Sequence, residues 1–174
     1  ESKSYVDLTV SALKTADLTV TQQDRTYTVT GRYDMRDCSV EGDWSNAAFF
    51  ITAGVVGKKS ITVTGLEHDS AQGDKAIIDE LKKLGAKIVC NKNSVTAFPS
   101  SLKAAQIDAS QIPDLVPILA VVAGANQGAV FTNVQRLRLK ESDRVASTIA
   151  MIQNLGGKAA EVGGHLVVWG TGFT

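Results

Sequence analysis

Two stretches of this chain, residues 47–56 and 115–125, are apolar at almost every position. A helix that is apolar on all sides is buried on all sides, so both stretches predict core helices. Each is followed by a glycine and then by a short segment with strand-forming residues, at 60–64 and at 129–132. The aromatic residues predicted to belong to the core near the first stretch are Trp44, Phe49 and Phe50.

A spacing of 71 residues relates these two stretches to each other. A repeat of this length indicates one supersecondary unit that is used more than once. Identical residues recur at this spacing, among them Asp43 and Asp114, Gly57 and Gly128, Leu84 and Leu155, Gly85 and Gly156, and Lys87 and Lys158.

The rest of each unit follows from the glycines and from alternating apolar positions. Residues 75–84 and 144–155 predict a second helix, because the glycine after each segment is typical of a helix end. Gly163 and Gly164 predict the turn of a hairpin. The strands predicted to close the two units are 87–90 with 94–98, and 158–161 with 165–169.

Residues 5–30 read as the second half of an earlier unit, with a helix over 6–14 followed by a hairpin. The loop at 31–38 carries several charges without periodicity and is the predicted linker. The sequence therefore predicts an α+β fold of repeated β-α-β-α-β-β units, with helices inside and sheets outside. The predicted boundary separates residues 1–42 from residues 43–174.

Composition narrows the possible functions. Lys plus Arg and Asp plus Glu number 18 each among 174 residues, so the net charge is zero, which argues against general nucleic-acid binding. Cys38 and Cys90 lie in no Cys/His cluster, which predicts reduced thiols, no metal site and a cytoplasmic location. The most apolar run, residues 115–125, is about half the ~20 residues of a membrane span. The sequence starts without Met and stops directly after a predicted strand, so we expect it to be a segment of a longer protein.

The charged segment Arg136-Leu-Arg-Leu-Lys-Glu-Ser-Asp-Arg144 stands where a predicted strand gives way to a helix. A helix start favours anions, and Lys140 and Arg144 add positive charge there. Glu141, which lies between them, is a candidate proton carrier. A charged helix start is also common on protein surfaces, but residues 66–73, one period earlier, carry no Lys or Arg. This difference between the copies favours a functional role.

Asp114 has two readings that its sequence context leaves open. It precedes a predicted buried helix, so it is a candidate N-cap, as Asp43 is in the first copy. It is also a candidate general base that faces a cleft. Ser2 and Tyr5 are candidate hydroxyl donors to a ligand, or else terminal residues with no such role. The two histidines predicted to lie in loops or on the surface are His68 and His165.

Four segments resemble, in the same chain order, segments of the 5-enolpyruvylshikimate-3-phosphate synthase family. Leu137-Arg-Leu-Lys-Glu-Ser-Asp-Arg144 resembles the Lys-Glu-(Ser/Thr)-Asp-Arg signature of that family. Val40-Glu-Gly-Asp-Trp-Ser-Asn-Ala-Ala-Phe-Phe50 resembles its Glu-Gly-Asp-x-Ser-(Ser/Asn)-Ala segment. The two further matches are Ile112-Pro-Asp114 and Ser2-Lys-Ser-Tyr5-Val6. The resemblance implies the enolpyruvate transferase fold, an inside-out barrel with buried helices and outward-facing sheets, of which this chain is a middle part.

The resemblance also implies roles for individual residues. Asp114 matches the carboxylate that accepts the proton of the shikimate 5-hydroxyl, and Glu141 matches a residue of proton transfer near phosphoenolpyruvate. Arg144 matches an anion-binding residue for phosphoenolpyruvate. The residues that match contacts to shikimate 3-phosphate are Ser2, Tyr5 and Lys140. Arg136 stands where some members have an asparagine that touches the ring, so its contact is left open.

The resemblance implies transfer of the enolpyruvyl group from phosphoenolpyruvate to shikimate 3-phosphate, with no metal or organic cofactor. It implies a monomeric complete enzyme, whereas this segment alone is expected to be inactive and to self-associate through exposed apolar helix faces. Two alternatives remain. One is a related transferase that acts on UDP-N-acetylglucosamine, and the other is a non-catalytic repeat domain that binds anions or proteins.

Overall fold

A computed structural model describes residues 3–34, 37–139 and 142–173, and its elements follow the predicted order closely. The α-helices are α1 (Lys3–Thr15), α2 (Trp44–Val56), α3 (Ile77–Lys83), α4 (Val116–Ala125) and α5 (Arg144–Asn154). Short 3-10 helices span Gly73–Ala76 and Val134–Leu139. The strands are β1 (Thr19–Gln23), β2 (Thr26–Thr30), β3 (Ile61–Thr64), β4 (Lys87–Asn91), β5 (Ser94–Phe98), β6 (Ala105–Asp108), β7 (Ala129–Thr132), β8 (Lys158–Val162) and β9 (His165–Trp169).

The strands pair within each unit rather than between units. β1 and β2 form an antiparallel hairpin, and β5 lies between β3 and β4 in an antiparallel sheet. The last sheet has the order β6-β7-β9-β8, in which β6 runs parallel to β7 and the other pairs are antiparallel. The second copy is therefore β6-α4-β7-α5-β8-β9, which confirms the predicted β-α-β-α-β-β unit. β6 was not among the individually predicted strands.

The core lies between the two apolar helices and the inner faces of the two larger sheets. α2 packs on β3, β5 and α4, and α4 packs on α5, β7 and β9. Alternate residues of the central strands point into this core, as a pleated strand requires: Val95 and Ala97 of β5, and Leu166 and Val168 of β9. The prediction of helices inside and sheets outside is confirmed.

Helix α2 is not buried on all sides, and two of its predicted core residues are exposed. Trp44 is buried as predicted, but Phe49 is 57% and Phe50 60% exposed. The side of α2 that meets the sheet and α4 carries residues three or four apart, such as Ala48, Ile51 and Val55. Phe49 and Phe50 lie on the opposite side, where no described element covers them. An apolar composition predicts that a helix is buried, but the described residues of this chain do not pack against every side of α2.

The charged segment begins within the 3-10 helix Val134–Leu139, which lies between β7 and α5. Its buried residues, Val134 and Leu137, are three positions apart, which is the 3-10 period. Leu139, the last residue of this helix, is 84% exposed. The helical turn directs Arg136 and Arg138 away from the core.

Glycines end the second helix of each copy, as predicted. Gly85 follows α3 with φ +98°, and Gly156 follows α5 with φ +81°. This left-handed conformation is readily adopted by glycine because it has no Cβ. The hairpin between β8 and β9 likewise turns through Gly163 and Gly164, both with positive φ.

Residues 3–34 contribute little to the core. No residue of α1 is buried, and an apolar groove lies between α1 and the β1–β2 hairpin, lined in part by Val10, Leu13 and Val29. The boundary between residues 1–42 and 43–174 stays a prediction. Among the described helices, none has both the length and the apolar character that crossing a membrane demands.

Candidate active site

Three segments that are far apart in sequence meet at the carboxylate of Asp114. The hydroxyl of Tyr5, near the start of α1, donates to Asp114 Oδ2 at 2.9 Å. The guanidinium of Arg144, the first residue of α5, pairs with Asp114 Oδ1. The side chains of Arg144 and Asp114 are each 23% exposed, so the pair is partly shielded from water. A base candidate, a cation and a hydroxyl donor thus lie together.

Asp43 and Asp114 occupy equivalent positions of the repeat but have different partners. Asp43 is the N-cap of α2 and accepts from the backbone N–H of Ser45 at 2.8 Å. In the second copy the N-cap position belongs to Leu115, and no side chain caps α4. The Asp114 carboxylate contacts Tyr5 and Arg144 instead. The N-cap reading is confirmed for Asp43 and wrong for Asp114.

The loop that leads to Asp114 is fixed at Ser110 from two sides. The Asp108 carboxylate accepts from the Ser110 N–H at 2.9 Å, and Arg136 donates to the Ser110 carbonyl at 3.2 Å. A hydrogen bond from the Asn133 side chain, with the Ser110 N–H, lowers the pKa of Asp108 and so favours the carboxylate that holds the loop. These contacts place Arg136 in support of the Asp114 loop.

A cavity of about 200 Å³ opens beside Asp114. Its walls come from α1, from the start of α2, from the 3-10 helix at 73–76 and from the loop before α4. On the side of the cavity formed by the first copy, the hydroxyl of Ser45 donates to the Asp74 carboxylate. The Gln72 side chain accepts from the Trp44 N–H and donates to the Gly42 carbonyl. Polar and turn residues on the cavity wall are Ser4, Tyr5, Asp43, Ser45, Gln72, Gly73, Asp74, Gln111 and Asp114.

Of the predicted site residues, the structure brings together Tyr5, Asp114 and Arg144. Ser2, Lys140 and Glu141 lie outside the described residues. His68 and His165 are exposed, as predicted. Among residues 3–34, 37–139 and 142–173, no three His, Cys, Asp or Glu side chains are grouped as metal ligands.

Ser45, Gln72 and Asp74 are cavity residues that the sequence reasoning did not assign to the site. Ser45 lies in the Glu-Gly-Asp-Trp-Ser-Asn segment, so the family-like motif was a signal for it. Asp74 carried no such signal, because an acidic residue in the first turn of a helix is ordinary on a protein surface.

We expect the phenol of Tyr5 to ionise at a higher pH than an ordinary tyrosine. Its hydrogen bond to Asp114 is the main cause that raises its pKa above 10.0, and burial and the charges of Asp114 and Asp74 act in the same direction. The contact is thus present when Tyr5 is neutral and is lost as the pH rises through the raised pKa. In a tyrosinate absorbance titration of the chain, Tyr5→Phe should remove the last step. Tyr27→Phe, the control, should leave that step in place; a high-pH titration unaltered by Tyr5→Phe would contradict the assignment.

Arg136 offers a separate test in the full-length protein that carries this segment. Arg136→Gln loosens the loop that leads to Asp114, and we expect kcat to fall about 10- to 100-fold, as misplacement of a reacting group by about 1 Å does. The KM for the acceptor should change little. Arg25→Gln, in the exposed β1–β2 turn, is the control. A raised acceptor KM with unchanged kcat would instead make Arg136 a substrate contact.

Comparison with known proteins gives a consistent picture. A family model described as EPSP synthase (3-phosphoshikimate 1-carboxyvinyltransferase) matches residues 1–171. The chain is 38% identical to the 3-phosphoshikimate 1-carboxyvinyltransferase of Clostridium kluyveri, over 98% of the chain and 41% of that relative. It is also 38% identical to the enzyme of the same name from Methanocorpusculum labreanum, over 97% of the chain and 40% of that relative. The chain therefore spans about two fifths of the length of these curated relatives.

Solved structures show the same fold. EPSP synthase from Acinetobacter baumannii matches with a TM-score of 0.77 at 20% identity, over 92% of this chain and 39% of that one. The enolpyruvyl transferase NikO from Streptomyces tendae matches with a TM-score of 0.69 at 19% identity, over the same shares. At these identities the likeness concerns the fold, which confirms the predicted enolpyruvate transferase architecture.

Proposed function

Since the chain belongs to the EPSP synthase family, we propose that it contributes to an enzyme that transfers the enolpyruvyl group of phosphoenolpyruvate to the 5-hydroxyl of shikimate 3-phosphate and releases phosphate. The reaction is a step of aromatic amino acid biosynthesis. We place it in the cytoplasm, with a monomeric complete enzyme. Because this segment lacks about three fifths of the length of its relatives, we expect it to be inactive alone.

The observation that carries the proposal is the carboxylate of Asp114, which meets the Tyr5 hydroxyl and the Arg144 guanidinium beside a cavity. The proposed chemistry requires a base for a hydroxyl proton, positive charge for an anionic donor and polar groups for a phosphorylated acceptor. This cluster supplies one of each. Its repeat mate, Asp43, is used as a helix cap, so the arrangement is particular to the second copy.

In the proposed first step, Asp114 accepts the proton of the acceptor 5-hydroxyl as that oxygen bonds to carbon 2 of phosphoenolpyruvate. Carbon 3 gains a proton in the same step, and we assign its delivery to Glu141 on the family signature. The product is a tetrahedral intermediate. In the second step, carbon 2 loses phosphate and carbon 3 returns a proton, which restores the enolpyruvyl double bond. An acid and a base held side by side serve both directions of proton movement.

The remaining predicted residues bind the anionic groups. Arg144 suits the carboxylate or phosphate of phosphoenolpyruvate, because a guanidinium presents two parallel N–H donors to such groups. Lys140 is assigned to shikimate 3-phosphate near the reacting hydroxyl. Ser2 and Tyr5 are assigned to the acceptor as hydroxyl donors. These four assignments rest on the family motifs, together with the position of Tyr5 at the cavity and the contact of Arg144 with Asp114.

The pairing of Arg144 with Asp114 has consequences for binding. An incoming anion competes with the Asp114 carboxylate for the guanidinium. As the donor binds to Arg144, the carboxylate of Asp114 exchanges its contact with the guanidinium for a contact with the acceptor hydroxyl. Binding of phosphoenolpyruvate to Arg144 is therefore coupled, through one ion pair, to the ability of Asp114 to accept the hydroxyl proton.

The related transferase that acts on UDP-N-acetylglucosamine is the second candidate, since it uses the same donor and fold. The Lys-Glu-Ser-Asp-Arg segment and the names of the matched relatives favour shikimate 3-phosphate as acceptor. A non-catalytic anion-binding domain is less well supported, because the relatives are enzymes by name.

The test is phosphate release by the full-length protein that carries this segment, with phosphoenolpyruvate and either acceptor. We expect release with shikimate 3-phosphate and none with UDP-N-acetylglucosamine. Release with the nucleotide sugar alone would establish the second candidate. Release with neither acceptor would refute the enzymatic proposal.

A further inference from the structure

The guanidinium of Arg138 and two carboxylates form a cluster of ion pairs at the start of α5. Arg138 Nη1 contacts Asp143 Oδ2 at 2.5 Å, and Arg138 Nη2 contacts Glu161 Oε2 at 2.5 Å. Arg138 belongs to the 3-10 helix at 134–139, Asp143 is the N-cap of α5, and Glu161 is in β8. One side chain thus links three elements of the second copy.

Both oxygens of Asp143 are engaged. Oδ1 accepts from the backbone N–H groups of Val145 at 3.0 Å and Ala146 at 3.1 Å, while Oδ2 holds Arg138. Serine or asparagine caps a helix about as well as aspartate, but neither supplies a second anionic oxygen for a guanidinium. The combination of cap and ion pair therefore requires aspartate at this position.

The ion pairs are too exposed to serve mainly as stabilising contacts. The three side chains are between 38% and 41% exposed, and surface ion pairs contribute little to folding stability. One period earlier, the residues equivalent to Arg138, Asp143 and Glu161 are Glu67, Gln72 and Cys90. The linkage is therefore absent at the equivalent positions of the first copy and present in the copy that carries Arg144.

We propose that Arg138, together with Asp143 and Glu161, is a positioning device that fixes where α5 begins and thereby holds Arg144 against Asp114. Arg144 directly follows the cap, so any shift of the cap moves its guanidinium relative to the Asp114 carboxylate. Arg138 has both carboxylates as partners and is not assigned to substrate. This inference rests on the proposed function for its kinetic consequences, but not for its structural ones.

The kinetic test uses the full-length protein. Arg138→Gln and Asp143→Asn should each lower kcat/KM for phosphoenolpyruvate about tenfold, with melting temperature and acceptor KM nearly unchanged, as expected for a mispositioned Arg144. Arg138→Lys should give a smaller loss, because it keeps the charge but loses the fork. The double variant should be no worse than the worse single variant, since the two residues act as one unit. The control is Lys92→Gln, in the turn between β4 and β5 of the first copy.

Amide hydrogen exchange tests the same positioning role of Arg138 without any measurement of catalysis. In Arg138→Gln, the N–H groups of Val145 and Ala146 should exchange about tenfold faster than in the unmodified protein, while those in the middle of α5 stay protected. Unchanged exchange at both amides would overturn the proposal, even if the protein proved to have no transferase activity. Faster exchange with wild-type kinetics in an active enzyme would also overturn it, because α5 would then be held without effect on Arg144.

Discussion

Asp114→Asn in the full-length protein should lower kcat by roughly 100- to 10,000-fold, which is the usual contribution of a general base. The amide has nearly the shape of the carboxylate and can still accept from Tyr5, but it cannot take the 5-hydroxyl proton. It also places an N–H group or a neutral oxygen against Arg144, in place of the charge found there. The KM for phosphoenolpyruvate should change far less than kcat, because Arg144 remains available to the donor.

Steady-state kinetics with shikimate 3-phosphate and phosphoenolpyruvate measure this result. Asp24→Asn, in the β1–β2 turn, is the matched control, because asparagine tolerates the positive φ of 52° at that position. Turnover of Asp114→Asn within a few fold of the unmodified enzyme would remove Asp114 from the base role.

Arg144→Ala should lower kcat/KM for phosphoenolpyruvate by about 10- to 100-fold, mainly through a higher KM. A hydrogen bond to a charged group contributes about 1.5–3 kcal/mol, and the variant also removes the Arg144 guanidinium from the partly shielded Asp114 carboxylate. The kcat/KM of Arg144→Lys for phosphoenolpyruvate should lie between those of Arg144→Ala and the unmodified enzyme. Lysine keeps the positive charge but lacks the forked N–H donors of the guanidinium.

Donor and acceptor constants must be measured separately for this variant. The KM for shikimate 3-phosphate should move less than the KM for phosphoenolpyruvate, since Arg144 is assigned to the donor. An equal rise in both constants would indicate general damage to the site, and unchanged kinetics would exclude Arg144 from anion binding. Arg25→Ala provides the comparison for removal of an exposed arginine.

Much of the fold was predictable because the units of this chain are local. Strands β5, β7 and β9 have the bounds that were predicted for them from the sequence. The positions of α4 and α5 were equally accessible, since an apolar run and a terminal glycine mark them. Local signals suffice where an element's boundaries depend on its own residues.

The errors arose where distant residues decide the outcome. The exposure of Phe49 and Phe50 depends on what covers α2, which the composition of the helix cannot reveal. The partners of Asp114 include Tyr5, 109 positions away, so sequence context left a cap possible where the structure has a contact between segments. Arg136 and Arg138 looked alike within one charged segment, and only their partners distinguish loop support from helix anchoring.

The way α1 docks makes the two repeats non-interchangeable. Residue 73 lies one period before Arg144, and a Cβ at Gly73 would lie 2.7 Å from Ser4 Oγ and 2.8 Å from Ser4 Cβ. Real Cβ atoms do not approach other atoms so closely, so a side chain at residue 73 would have to displace Ser4 at the start of α1. The scaffold offers two equivalent places for an arginine at a helix start, and α1 occupies the space of one. Exchange of these two helix starts would therefore require the start of α1 to move, whatever the chemistry of the arginine.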